Sequence, residues 1–199
     1  MTDQLRVYTP TLPETSWKDR EVVIQTRNLT KQFGSETAVQ DVTLYVPKGS
    51  IFGFIGPSGS GKTTTIRMLT GYYAPTSGEI EVFGKPPTRF SQSMRERIGY
   101  MPQLFVLCPE LSVWENLNFA ASIYGERLIG RRKKLDQILD FVELTGHTHK
   151  LAREISGGMQ RRLSLAATLV HDPDLIFLDE PTAGIDPLLR EKFWQRLRD

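Results

Sequence analysis

Cysteine is nearly missing from this chain: Cys108 is the single one in 199 residues. An intramolecular disulfide is therefore excluded, which fits a reducing compartment. With no motif around it, Cys108 reads as a small, half-buried thiol rather than a nucleophile. Long apolar runs are missing too. Nothing approaches the roughly 18–20 residues that a membrane-spanning helix needs, so if the chain works at a membrane another polypeptide supplies the span. The formal net charge is only +2, which gives no electrostatic reason to expect a nucleic-acid partner. Residues 1–20 lack the apolar core of a secretory signal. Polar and carrying two prolines, they are expected to form a loose tail. There is no internal repeat and no low-complexity segment. What is left is an ordinary globular composition, 39% hydrophobic and 24% charged, of a size for one domain with room for an inserted subdomain.

Apolar–polar alternation predicts strands over 21–30, 41–46 and 78–84. The dense apolar run "GSIFGFIG" (49–56) predicts a central strand buried on both faces. A helix is expected from about Lys62 to near Gly71, with Ile66 and Leu69 on its inner face. "RIGYMPQ" (97–103) reads as a short strand, and from Ser112 to about Lys150 the pattern turns helical. There Leu135, Ile138, Leu139 and Val142 fall at i, i+3, i+4 and i+7. The preceding "RRKK" (131–134) reads as the solvated end of a helix rather than a site for a phosphate-rich partner. A helix over 157–170, a strand over 174–179 and a helix beginning near Pro187 complete the pattern. Strands alternating with helices predict an α/β core with a mostly parallel sheet. The early strands form a separate antiparallel layer, and the helical block at about 104–170 is an insertion in a domain covering 21–199.

Two segments carry chemistry. "GPSGSGKT" (56–63) satisfies the phosphate-loop pattern G-x-x-x-x-G-K-[ST] and lies between a predicted strand and a predicted helix, the context that the pattern requires. Gly56, Gly59 and Gly61 let successive N–H groups point inward, and the helix N-terminus adds its dipole. Lys62 reaches the β- and γ-phosphates, and the Thr63 hydroxyl is a Mg²⁺ ligand. The second segment, "LIFLDEPT" (175–182), delivers two carboxylates to the C-terminal edge of a buried strand, where ligands of open α/β sheets sit. Adjacent strand residues start on opposite faces, so the two acids have different tasks. Asp179 is suited to holding Mg²⁺ and Glu180 to orienting or deprotonating an attacking water.

With these in place the chain resembles the nucleotide-binding domain of ATP-binding cassette (ABC) transporters, from about Val22 to Asp199. The phosphate loop, Gln103 after a strand, "ISGGM" (155–159), "LIFLDE" (175–180) and "AGID" (183–186) follow one another in the family's order. The resemblance implies a P-loop NTPase fold that binds ATP and Mg²⁺. Its nucleotide contacts come from Gly56, Pro57, Ser58, Gly59, Ser60, Gly61, Lys62, Thr63 and Thr64. Phe33 stacks on the adenine, Gln103 senses Mg²⁺ and the attacking water, and Asp186 communicates across a dimer. Ser156, Gly157 and Gly158 contact ATP held by a second copy's phosphate loop, through an isologous interface. Glu180, Gln103 and Lys62 are the catalytic set, and Thr63, Gln103 and Asp179 hold the metal. The implied partners are a transmembrane permease subunit and a second nucleotide-binding domain, the same or different, with no nucleic acid. The implied location is the cytoplasmic face of the cell membrane. "LSVWENLNFAASIYG" (111–125) resembles the exporter branch.

The sequence departs from the family pattern twice. Met159 stands where the signature usually has Gln, and Met cannot make the amide's hydrogen bonds. His147, His149 and His171 all precede Glu180, so none fits the family's switch histidine. The expectation is a shortened chain that binds ATP–Mg²⁺ and hydrolyses it poorly. Two other readings stay open. One is an ABC-type ATPase of DNA repair or translation, whose nucleic-acid-binding insertions are not visible here. The other is a non-catalytic ATP-binding module.

Overall fold

A computed structural model describes residues 6–8, 21–104 and 106–179. The chain divides into two compact units, 1–92 and 93–199. Glu180, Asp186 and the helix expected near Pro187 lie outside the described residues.

In the first unit, β1 (Arg6–Tyr8), β2 (Val22–Phe33), β3 (Glu36–Pro47) and β4 (Gly53–Ile55) precede α1 (Lys62–Leu69) and β5 (Ser77–Val82). The expected antiparallel layer is present, in the order β3-β2-β5, with Thr26 opposite both Leu44 and Ile80. Thr26 is fully buried, and its hydroxyl donates to the Val42 carbonyl at 2.9 Å and accepts from the Leu44 amide at 3.2 Å. Its polar atom is thus satisfied where an unpaired one would be costly. The register shifts beyond Thr26, and Asn28 and Asp41 there take positive φ and join through their side chains at 2.6 Å. Such bulges bend a strand and increase its twist. α1 buries Ile66 and Leu69 as its periodicity requires, together with Met68.

Two expectations change in this unit. The run at 49–56 yields only the three-residue β4, whose partner is antiparallel β1, and Ile51 and Ile55 are exposed. A dense apolar run does not say whether one face or two will be covered, and here the alternate residues Phe52 and Phe54 pack edge-on, 5.5 Å between ring centroids. For the same reason Arg6–Tyr8, expected in a loose tail, is a paired strand. It supplies hydrogen bonds that β4 needs. Among the described residues the parallel sheet consists of a single strand pair, in the second unit.

That pair is β6 (Ile98–Met101) beside β7 (Leu175–Leu178), parallel, with Met101 opposite Leu178. α2 (Gln92–Arg95) runs across the division between the units, and α3 (Val113–Ile123), α4 (Arg131–Phe141) and α5 (Gly157–Leu169) belong to the second. Leu135, Leu139 and Val142 are buried and Ile138 is partly so, as their spacing predicts. The helices share one core with Met101 of β6. The division between the two compact units falls at 92/93. Gly99 shows how closely α5 lies on β6: a Cβ there would stand 2.9 Å from both Cγ2 and O of Thr168.

Half of the basic cluster is committed to the fold. Arg131 donates to Ser122 Oγ at 2.8 Å and to the Glu126 carbonyl, and Lys134 bridges Glu126 (3.1 Å) and Asp172 (2.7 Å). Arg132 and Lys133 are exposed, as a solvated helix end would be. Cys108, expected half-buried, is exposed. The buried Asn116 side chain accepts from its amide and donates to its carbonyl, which fixes the backbone and leaves the thiol outside.

α3 opens on a reciprocal cap. Ser112 Oγ accepts from the Glu115 amide at 3.2 Å, and Glu115 Oε2 accepts from the Ser112 amide at 2.8 Å. These bonds to the Ser112 backbone and side chain hold the Glu115 carboxyl below the usual carboxylate range. A depressed native pKa means that the ionised cap contributes its stability above the ordinary Glu pKa and loses it as pH falls through the native value. Ser112→Ala should cost about 1 kcal/mol at neutral pH, typical of a lost N-cap. It should also flatten the acid limb of the stability profile, read by urea unfolding between neutral pH and pH values below the ordinary Glu pKa. An acid limb identical to the parent's would remove the cap from that account.

Candidate nucleotide-binding site

Residues 56–61 connect β4 to α1. Gly59 and Gly61 have φ of +83° and +88°, a region that only glycine occupies without strain. At Gly61 glycine is required twice over, because a Cβ would lie 2.3 Å from the Ala38 carbonyl oxygen of β3. The Lys62 ammonium folds back over the loop and donates to the carbonyls of Gly56 (2.7 Å) and Pro57 (2.8 Å). The Ser60 amide donates to the Pro57 carbonyl at 3.2 Å. Among the described residues the Ser60 hydroxyl is buried with no hydrogen-bond partner. A curled loop, a lysine clasped to its carbonyls and a buried unsatisfied hydroxyl make a cradle suited to a polar anion at the start of α1.

Phe33 closes β2 in the same unit. It is 42% exposed, meets Tyr73 edge-on at 5.2 Å and lies 5.1 Å from the Lys31 ammonium.

In the second unit Ser156 caps α5, its hydroxyl accepting from the Met159 amide at 3.3 Å. Ser156 and Gly157 are exposed, and a Cβ at Gly157 would meet nothing within 4 Å. Met159 packs its side chain against the helical core, while the Gln160 amide donates to the Ala152 carbonyl at 2.7 Å. The departure at 159 therefore anchors the helix by packing. Gln103 follows β6, and Asp179, buried, follows β7, its amide bonded to the Met101 carbonyl at 2.9 Å. The structure brings Gln103 and Asp179 together through a residue that sequence reading missed. Arg161 donates to both backbone carbonyls, at 3.0 Å to that of Asp179. Its signal was an arginine standing on the apolar face of α5, where Leu163, Leu165 and Ala166 are buried.

No group of three or more His, Cys, Asp or Glu is placed to hold a metal among the described residues. The expected donors are the Thr63 hydroxyl, the Gln103 amide oxygen and one carboxylate, Asp179. They are all hard oxygens with a single charge, which fits Mg²⁺, an ion that keeps waters and shares substrate phosphates instead of an all-protein cage. No helix of the described residues is long and apolar enough to cross a membrane.

A strand, a glycine-curled loop and a lysine at the head of a helix define the class of P-loop nucleotide-binding proteins. The ABC transporter family matches residues 39–183, and the chain belongs to that family as one of its ATP-binding domains. It is 39% identical over 176 residues to Nod factor export ATP-binding protein I of Cupriavidus metallidurans, covering 88% of this chain and 58% of that one. It is 41% identical over 174 residues to the probable multidrug ABC transporter ATP-binding protein YbhF of Escherichia coli, covering 87% of this chain and 30% of that one. The chain thus spans about half or less of the length of these relatives. Among solved structures, a dimeric structure of a bacterial ABC transporter cassette superposes with a TM-score of 0.75 at 28% identity, covering 87% of this chain and 81% of that one.

Proposed function

We propose that this chain binds ATP with Mg²⁺ at the loop 56–64, hydrolyses it, and uses that cycle to drive transport through a membrane partner. The carrying observation is the Lys62-clasped loop at the head of α1, inside the segment that the ABC transporter family matches. Lys62 and the inward amides hold the phosphates, Phe33 takes the adenine, and Thr63, Gln103 and Asp179 are the metal donors. Mg²⁺, when bound, neutralises charge on the phosphate oxygens. Glu180 orients or deprotonates the attacking water and Gln103 senses it. Both relatives are named for export or multidrug transport, which supports the exporter branch. Placement at the cytoplasmic membrane face follows from a permease partner.

Binding of ATP–Mg²⁺ to the purified chain, followed by calorimetry, tests this directly. Micromolar binding is expected, with slow turnover that Glu180→Gln removes. Failure to bind would end the proposal, and binding with no turnover beyond that of Glu180→Gln would favour the non-catalytic reading.

Pairing with a second nucleotide-binding domain is supported from inside the chain. Glycine in a helix costs ~0.5–1 kcal/mol relative to alanine, and nothing in the described residues crowds Gly157. The cost has its return when another molecule's phosphate comes close to that backbone, and Asp186 is placed by resemblance to communicate across the same interface. Gly157→Ala should therefore stabilise the isolated chain by up to about 1 kcal/mol while weakening ATP-driven dimerisation of the Glu180→Gln form by about tenfold, read by sedimentation. Unchanged dimerisation would separate Gly157 from the interface.

A further inference from the structure

Arg161 is 3% exposed, although it carries a permanent charge among the leucines and alanines of α5. A guanidinium is costly to bury unless acceptors are placed for it, and the acceptors here include two main-chain carbonyls, those of Gln103 and Asp179. These residues leave adjacent parallel strands in register, Met101 beside Leu178. One planar fork thus ties the segment leaving β6 to the segment leaving β7. A fork with donors fixed in one plane sets two acceptors relative to each other, which a lysine's single nitrogen does less rigidly.

We infer that Arg161 is a positioning residue that fixes the separation of Gln103 and Asp179, and through it the affinity of the ATP-loaded chain for its divalent cation. This rests on the metal-holding roles of Gln103 and Asp179 proposed above. Arg161 touches neither nucleotide nor metal in this role and acts through the two carbonyls. It stands five residues along α5 from Ser156, ~7.5 Å by helical rise. One rigid element therefore carries both the segment offered to a second copy and the brace on this chain's own metal donors. Movement of α5 at the interface would be felt at that brace.

The test uses the 199-residue chain and Mn²⁺, an EPR-visible substitute for Mg²⁺. Mn²⁺ is titrated into ATP-loaded parent, Arg161→Lys, Arg161→Gln and Asp179→Asn proteins, and metal-free ATP affinity is measured beside it. Arg161→Lys should weaken Mn²⁺ binding about tenfold and change metal-free ATP affinity less than twofold. Arg161→Gln removes the buried charge and keeps an amide donor, so it remains folded if the lysine is not accommodated, and it should weaken Mn²⁺ binding similarly. A purely structural Arg161 would lower thermal stability and leave the Mn²⁺ affinity of folded protein unchanged, and that result overturns the inference. If Asp179→Asn weakens Mn²⁺ binding and neither Arg161 variant does, the metal site stands and the inference fails. If Asp179→Asn also leaves it unchanged, the reading of the metal site fails and the inference with it.

Discussion

Lys62→Ala is expected to lower ATP affinity by at least ~100-fold while leaving the unliganded fold intact. In the structure the ammonium donates to the carbonyls of Gly56 and Pro57, so it is already held against the loop. A phosphate arriving there meets a cation that exchanges carbonyl partners for charged oxygens without a search through rotamers. Hydrogen bonds between charged partners contribute about 1.5–3 kcal/mol each, and a lysine that bridges two phosphates makes two of them. The product spans ~10²–10⁴ in affinity. The cost to the free protein should be small, because Gly56 and Pro57 lie near the surface and water can replace the ammonium. A thermal-shift series reads both quantities. At ATP one hundred times the parent's dissociation constant the parent gains about 2.7 kcal/mol, a few degrees for a chain of this size, and Lys62→Ala should gain almost nothing. Binding within tenfold of the parent would mean that the loop amides alone hold the anion. This result would not separate a transport ATPase from a non-catalytic module, since both need the lysine.

The sequence made some of this legible and hid the rest, for physical reasons that differ residue by residue. The phosphate loop was readable because its residues are forced: two positive-φ glycines and a lysine at a helix head tolerate almost no substitution. The spacing of Leu135, Ile138, Leu139 and Val142 announced α4 because a helix with one wet face must repeat that way, and the burial follows it. The run 49–56 misled because apolar content reports a wish for cover and not who provides it. The structure gives β4 the antiparallel partner β1 and leaves Ile55 exposed. Cys108 misled because residue type sets an average tendency, whereas a single buried Asn116 decided which way that backbone faces. Arg161 was invisible because the two carbonyls it joins are main-chain atoms, which carry no residue signature. The position of a charge on an apolar helix face was the only trace.

Gly61→Ala should be among the most damaging single methyl additions in the first unit. Two separate costs meet at this residue. An L-residue at φ +88° bears about 1–2 kcal/mol of backbone strain. The new Cβ would also stand 2.3 Å from the Ala38 carbonyl oxygen and 2.9 Å from Val39 Cγ2. Val39 is a buried core residue and the other atom is main chain in β3, so no side-chain rotation relieves the contact. Relief requires the loop to lift away from β3, and Lys62, the next residue, would travel with it. Stability should fall by about 3 kcal/mol or more, within the range of severe single substitutions, and ATP affinity should fall with it. Gly59→Ala separates the two causes. Gly59 has nearly the same φ, +83°, with nothing within 4 Å of its Cβ, so it should cost only the backbone strain of about 1–2 kcal/mol. Denaturant unfolding of the pair measures the difference, which is the energy of the Gly61–β3 contact. Equal losses would mean that α1 can draw back from β3 freely, and the close approach would then have no part in setting the loop.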